Sequence, residues 1–219
     1  MQKKLLSLLV LLMTAATGAW AGVDAGGLNS GIEWQLTDDG VMTISKQSGS
    51  GAMADYSSYD TQTWKYLRDK ITSVVVEAGV THIGNYSFYG LTNLKTVSLP
   101  EGLLTIGDMA FEGCSSLGSI TIPASVTSIG QYAFALCTNL ATVTFSAVSN
   151  LTTIGHHAFY ECGRLGSIAI PDGVTSIGEN TFYECSELSS VSIPASVTSI
   201  GFRAFEYCSK LCRYPFPPV

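Results

Sequence analysis

Six cysteines are the residues of this 219-residue chain best suited to covalent or metal chemistry. Five of them share one position of a repeated unit whose first copy has Leu91 there, so we expect an apolar interior column in which a thiol acts as a small hydrophobe. A disulfide framework is the alternative, and metal binding is disfavoured because one thiol per unit gives no paired ligand spacing. The column comprises Cys114, Cys137, Cys162, Cys185 and Cys208.

The sixth cysteine, Cys212, falls outside this column, at the first position of an incomplete seventh unit. A free or partly exposed thiol is the favoured interpretation, and a bridge to Cys208 is the alternative.

Histidines and aspartates form no motif typical of catalysis or metal binding. His156 and His157 are adjacent, and His82 lies in a distant unit, so we expect neither a metal pair nor a catalytic dyad. Three aspartates before the repeats lack the Asp-x-Asp-x-Asp-Gly loop of a calcium site, which favours turn and cap roles over a cation site. We therefore expect no cofactor, metal or catalytic residue. The aspartates are Asp55, Asp60 and Asp69.

Residues 72–211 are six copies of one unit of about 23 residues. Its third and fifth positions are always apolar, as at Val97 and Leu99, which predicts a short strand with one buried face. Four units then have a proline, such as Pro100, that ends the strand. The units begin at Thr72, Lys95, Gly118, Ala141, Gly166 and Ser189, and the fourth has 25 residues because of an insertion between Phe145 and Leu151.

Every unit continues with an Ile-Gly pair, such as Ile106-Gly107, where glycine indicates a positive φ or a close backbone approach. The next buried-type residues, such as Ala110, Phe111, Cys114 and Leu117, recur at intervals of three and four, which predicts a helical turn. Stacked units of this kind predict a right-handed α/β solenoid, with a parallel β-sheet on the concave side and short helical turns on the convex side. A parallel β-helix is the alternative.

The unit from Leu94 to Leu117 reads Leu-x-x-Val-x-Leu-Pro-x-x-Leu-x-x-Ile-Gly-x-x-Ala-Phe-x-x-Cys-x-x-Leu. This pattern resembles the Treponema-type leucine-rich repeat of BspA-like bacterial surface proteins over about 140 residues. The resemblance implies a right-handed leucine-rich repeat fold, export, and a role in adhesion to host proteins and in interactions among bacteria. The chain is short for this family and has no recognisable sorting domain at its C-terminus. Retention at the surface and release are therefore both kept as alternatives.

The first 21 residues have the pattern of a secretory signal peptide. Lys3 and Lys4 precede the apolar run Leu5–Met13, and Ala19 and Ala21 are the small residues that a signal peptidase requires. The apolar run is much shorter than the roughly 20 residues of a membrane-spanning helix. We therefore predict export and no transmembrane segment.

Residues 22–71 are expected to cap the first repeat. Ile32, Trp34 and Leu36 alternate, and Val41 follows a turn sequence, which predicts a β-hairpin. A short helix is expected around Trp64.

Residues 212–219 are expected to form a partial terminal strand that acts as a C-terminal cap. Tyr214 and Phe216 fall in the two buried strand positions, and Pro215 lies between them. A proline on the last strand removes a hydrogen-bond donor from the edge and so discourages aggregation.

The formal charge of the chain is −6. Removal of the signal peptide leaves nine basic and 17 acidic residues, which argues against nucleic acids and anionic membranes as partners.

Two surfaces of the predicted solenoid are candidates for binding. The outward positions of the sheet carry hydroxyl groups and no charge, so this face lacks the titratable groups of acid–base catalysis but could hydrogen-bond a glycan or a protein. The convex side combines carboxylates with tyrosine, a residue enriched at interfaces. The candidates are Thr96, Ser98, Ser119, Thr121, Thr142 and Thr144 on the sheet, and Tyr160, Glu161, Tyr183, Glu184 and Tyr207 on the convex side.

These observations favour a non-catalytic, secreted or cell-surface interaction module of adhesin type, whose partner is a host or bacterial surface protein. A carbohydrate-binding protein of the envelope or gut lumen is one alternative, and a structural component of a surface assembly is another.

Overall fold

The computed structural model describes residues 20–23 and 31–211. Its N-terminal part has three strands, β1 (Trp20–Val23), β2 (Ile32–Leu36) and β3 (Val41–Lys46), and two 3₁₀ helices, Tyr59–Thr61 and Lys65–Lys70. β2 pairs antiparallel with both β1 and β3, so the structure contains the expected hairpin. The expected short helix near Trp64 is the second 3₁₀ helix.

Both predicted terminal segments lie largely outside the described residues. Of the predicted signal peptide, residues 1–19 are not described, and Trp20 and Ala21 belong to β1. The predicted terminal strand, residues 212–219, lies wholly outside.

Each repeat unit contributes one strand to a parallel array, as the alternating positions predict. These strands are β4 (Ser73–Val76), β6 (Thr96–Ser98), β8 (Ser119–Ile122), β10 (Thr142–Phe145), β12 (Ser167–Ala169) and β14 (Ser190–Ser192). In β8, Ile120 and Ile122 are buried while Ser119 and Thr121 are exposed. The array is divided, because β4 and β6 join the N-terminal sheet through β3, whereas β8, β10, β12 and β14 form a second sheet.

Every unit also has a second strand, which corrects the expectation of one strand per unit. These two-residue strands are β5 (His82–Ile83), β7 (Thr105–Ile106), β9 (Ser128–Ile129), β11 (Thr153–Ile154), β13 (Ser176–Ile177) and β15 (Ser199–Ile200). Of these strands, β5, β7, β9 and β11 form one parallel sheet, and β13 pairs with β15 in another. The isoleucine of each pair points into the core in all units but the last.

The segment after each Ile-Gly pair is a series of turns, which corrects the expectation of a helical convex side. Two residues of this segment in every unit have a left-handed backbone, for example Met109 at φ 55° and Gly113 at φ 72°, so a right-handed helix cannot continue. Backbone N–H groups of this segment donate to carbonyl groups of the next unit instead of to their own turn. The N–H of Tyr86, for example, donates to the carbonyl of Asp108 at 2.9 Å. The periodic apolar spacing therefore belongs to successive turns that are hydrogen-bonded between units.

A stack of aromatic rings runs through the core along the solenoid. The rings of Phe88, Phe111, Phe134, Phe159, Phe182 and Phe205 have neighbouring centroids between 5.1 and 5.5 Å apart. Trp64 extends this stack into the N-terminal part, at 5.9 Å from Phe88, and its Nε1 donates to the carbonyl of Ser87 at 3.1 Å. The N-terminal part thus continues the core and closes the first unit.

Candidate functional site

The hydroxyl candidates all lie on the exposed face of the parallel array formed by β4, β6, β8, β10, β12 and β14, here called the main array. Thr142 pairs with Ser119, and Thr144 with Thr121, so β8 and β10 present four adjacent hydroxyl groups. Thr96 and Ser98 are exposed as well, but they belong to β6 in the neighbouring sheet. The structure therefore brings four of the six candidates together on one flat, uncharged surface. The exposed six are Thr96, Ser98, Ser119, Thr121, Thr142 and Thr144.

The convex-side candidates form a continuous surface, here called the aromatic–acidic ridge: Tyr160, Glu161, Tyr183, Glu184 and Tyr207. The rings of Tyr160 and Tyr183 are stacked, with centroids 5.0 Å apart and an interplanar angle of 3°. Tyr207 packs edge-on against Tyr183 at 5.2 Å, and 60% of its surface is exposed. Glu161 and Glu184 lie beside these rings in the turn segments.

The backbone beneath the ridge is tied from unit to unit. The N–H of Glu161 donates to the carbonyl of Tyr183 at 2.8 Å, and that of Glu184 to the carbonyl of Glu206 at 2.9 Å. Because each ring also contacts the next, a partner would meet side chains that are already ordered.

The phenol groups of Tyr160 and Tyr183 stay protonated at neutral pH. Burial, together with the hydrogen bond and the charge of Glu161, raises the pKa of Tyr160 to about 12. The pKa of Tyr183 is also raised, by desolvation and by the neighbouring Tyr207 and Glu184. The Tyr160 hydroxyl donates to Glu161, whereas the Tyr183 hydroxyl can act as a hydrogen-bond donor to a partner.

The five column cysteines are buried thiols. Each donates to the carbonyl of the stacked phenylalanine of the preceding unit, as from Cys137 Sγ to Phe111 at 3.2 Å. Burial raises the pKa of Cys137 to about 12, and it raises the pKa values of Cys114 and Cys162 well above 9.0. A protonated, inaccessible thiol is a poor nucleophile and a poor metal ligand. The buried set is Cys114, Cys137, Cys162, Cys185 and Cys208.

The histidines and aspartates serve contacts between units. Asp55 accepts a hydrogen bond from the backbone N–H of Asn85 at 2.8 Å and contacts His82 Nε2 at 3.1 Å. His156 Nδ1 accepts from the N–H of Glu179 at 2.9 Å, and His157 stacks on a tyrosine ring. Within the described residues, no group of three or more His, Cys, Asp or Glu side chains could hold a metal ion.

The second strands border a groove that the sequence reasoning missed, here called the second-sheet groove. It crosses the third to sixth units and has a volume of about 690 Å³. One wall is a column of hydroxyl residues, and the other is a column of larger polar residues that begins at Asp108. The signal that could have revealed it is the polar residue directly before each Ile-Gly pair. The hydroxyl column is Ser128, Thr153, Ser176 and Ser199, and the polar column continues with Gln131, His156 and Glu179.

The part of the chain that the structure describes contains no helix with the length and apolar character needed to cross a membrane.

The fold and the repeated columns define a solenoid protein of the leucine-rich repeat class. The model of the BspA type leucine-rich repeat region matches six copies over residues 61–162 and 142–218. The chain therefore belongs to the BspA-type leucine-rich repeat family.

Solved structures of repeat proteins resemble this chain. A leucine-rich repeat protein of T. pallidum is 29% identical, with a TM-score of 0.64, and the match covers 82% of this chain and 87% of that one. A leucine-rich repeat protein from Eubacterium ventriosum is 20% identical, with a TM-score of 0.41 and coverage of 85% and 95%. None of the curated proteins matches the chain.

Proposed function

We propose that this protein is an exported, non-catalytic interaction module of adhesin type that binds a protein surface through the aromatic–acidic ridge. The observation that carries the proposal is the contiguous arrangement of Tyr160, Tyr183 and Tyr207 across three units. Ordered, partly exposed aromatic rings supply a large contact area at low entropic cost, which is typical of the centre of protein interfaces.

Charge indicates what kind of partner fits the ridge. Glu161 and Glu184 lie beside the rings, whereas Glu206 in the last unit forms an ion pair with Arg203 at 2.9 Å. The chain as a whole is acidic, with a formal charge of −6. A complementary partner presents lysine or arginine around an apolar centre, and its affinity falls as salt screens the charges.

Export is supported by the N-terminal pattern of Lys3, Lys4 and the apolar run Leu5–Met13. The family resemblance points the same way, to a secreted or surface location. The absence of charged groups from the outward face of the main array supports a non-catalytic role.

Surface plasmon resonance against a panel of extracellular-matrix and bacterial surface proteins tests the proposal. We expect at least one saturable protein partner, and Tyr183→Ser should weaken its binding about tenfold or more. Tyr66→Ser is the matched control, because Tyr66 is 88% exposed but lies in the N-terminal part, away from the ridge.

Circular dichroism would verify that both variants remain folded. Saturable glycan binding with no protein partner would overturn the proposal and favour the carbohydrate-binding alternative. Equal loss of binding in the Tyr183 and Tyr66 variants would show that the ridge is not the contact surface.

A further inference from the structure

The second-sheet groove has a floor of bare backbone. An ideal Cβ on Gly130 would lie 2.6 Å from the backbone N of Asp108, and one on Gly155 would lie 2.5 Å from the carbonyl carbon of Gly130. Packing between units therefore excludes side chains from this strip. The hydroxyl and polar columns stand on either side of it, so the groove runs across the units, parallel to the solenoid axis.

The middle of the groove contains backbone groups that lack their usual partners. In the neighbouring units, Gly155 N–H donates to the carbonyl of Ile129 at 2.9 Å, and Gly201 N–H to that of Ile177 at 2.8 Å. The equivalent bond from Gly178 to Ile154 is absent, and no ladder joins β11 to β13 in the described range 31–211.

A polar ligand could satisfy these groups. A donor and an acceptor are available between β11 and β13, and the hydroxyl groups of Thr153 and Ser176 lie on the same two strands. Both side chains are exposed. This gap follows the lengthened fourth unit, so it is a particular feature of this chain and not of every repeat.

The period of the groove selects among extended polymers. Equivalent groups recur once per unit, at about 4.8 Å, the spacing of strands in a sheet. A β-1,4-linked pyranose chain advances by roughly this spacing with each ring, with alternate rings turned over, so one ring can lie beside each unit. An extended peptide advances only about 3.3 Å per residue, so its residues do not stay in register with the repeat units.

Charge and an aromatic side chain narrow the class of ligand further. Asp108 and Glu179 line the groove, and their carboxylates would repel sulfated or uronic-acid sugars. Phe202 closes the C-terminal end of the groove and is 66% exposed. The guanidinium of Arg203 lies over one face of its ring at 4.8 Å, so the other face can stack on the apolar face of a sugar. We propose that the second-sheet groove binds a neutral β-linked oligosaccharide, with one ring on each of the last four units.

Isothermal titration calorimetry of the full chain with cello- and chito-oligosaccharides of two, four and six rings tests this assignment. We expect affinity to rise about fivefold or more from two to four rings, and less than about twofold from four to six, because the hydroxyl column of the groove spans four units. No saturable binding, an affinity independent of length, or preference for oligogalacturonate would overturn it.

Two matched variants locate the site. Ser176→Tyr should fill the groove and abolish binding, whereas Ser190→Tyr places the same side chain at an exposed serine of the main array and should leave binding unchanged. Phe202→Ala should lower affinity about tenfold through loss of stacking.

Thermal unfolding followed by circular dichroism would separate loss of binding from loss of folding in these variants. If Ser190→Tyr abolishes binding and Ser176→Tyr does not, the sugar site lies on the main array and the inference is wrong. Tyr183→Ser should leave sugar binding intact, so this inference and the proposed protein partner can fail independently.

Discussion

At the scale of single residues, each column cysteine is buried and its thiol donates a hydrogen bond to a backbone carbonyl. Cys137 Sγ donates to the carbonyl of Phe111, and its surroundings exclude water. Burial disfavours the charged thiolate, so its pKa rises from 9.0 to about 12. Between pH 9.0 and about 12, the thiol therefore keeps its proton in the folded chain and loses it in the unfolded chain.

This retained proton predicts a loss of stability in alkaline solution. Because the thiol pKa is higher in the folded chain than in the unfolded one, the stabilisation is complete below pH 9.0 and is lost as the pH rises toward 12. From pH 8 to pH 10, Cys137 alone should lower the free energy of unfolding by about 1.4 kcal/mol. Urea unfolding at the two pH values measures this change.

Cys137→Val is the control for this prediction, because valine fills a similar volume without a titratable proton. The variant should show a shallower decline between pH 8 and pH 10. An unchanged slope in the variant would contradict the assigned cause.

Iodoacetamide in the native state should leave the column cysteines unmodified, whereas disulfide pairing of the column would show that the thiol interpretation is wrong.

At the scale of elements, the second strand and the glycine after it determine how closely two units approach. The glycine of each Ile-Gly pair has no left-handed backbone, so the close-approach interpretation holds and the positive-φ interpretation does not. A Cβ on Gly107 would lie 2.5 Å from the side-chain oxygen of Asn85. That oxygen itself accepts the N–H of Asp108 at 2.6 Å, so it cannot move away without losing a bond.

Gly155→Ala should therefore destabilise the solenoid by about 2 kcal/mol, because the added methyl group would meet the backbone of Gly130. Gly166→Ala is the matched control, since a Cβ there has no atom within 4 Å. Chemical denaturation of both variants measures the difference. Equal midpoints for the two would contradict the close contact.

At the scale of the whole molecule, the two ends of the solenoid differ. The N-terminal end is closed, because the N–H of Tyr56 donates to the carbonyl of Asn85 at 3.1 Å and β3 pairs with β4. At the other end, Ile193 is 42% and Ile200 is 54% exposed. In earlier units, three turn N–H groups donate to the next unit; among the described residues, their counterparts in the last unit, at Arg203, Phe205 and Tyr207, have no backbone acceptor. We expect residues 212–219 to cover the Ile193 side of this open end.

Pro215→Val should promote oligomers, because it restores an N–H donor at the outer edge and raises strand propensity. Static light scattering would show an increased average mass. Pro218→Val is the control, because position 218 falls after the two buried strand positions, and it should remain at the wild-type mass. An unchanged mass for both variants would contradict an edge role for Pro215.

The sequence repeat alone was enough to predict the solenoid, the strands of the main array and the burial of the cysteine column. A column shared by every unit meets the same surroundings in each, so Leu91 in the first unit was enough to identify an apolar slot. The stacking of Tyr160 on Tyr183 also follows from their shared position, one unit apart.

Only the tertiary structure decided what depends on contacts between units. The three- and four-residue spacing fits a helix or linked turns equally well, and the choice rests on hydrogen bonds such as that from Phe88 N–H to the carbonyl of Ala110. The missing hydrogen bond from Gly178 to Ile154 likewise depends on how the fifth unit packs against the fourth. A sequence records periodicity along the chain, whereas the second strands, the groove and the open end arise from distances between units.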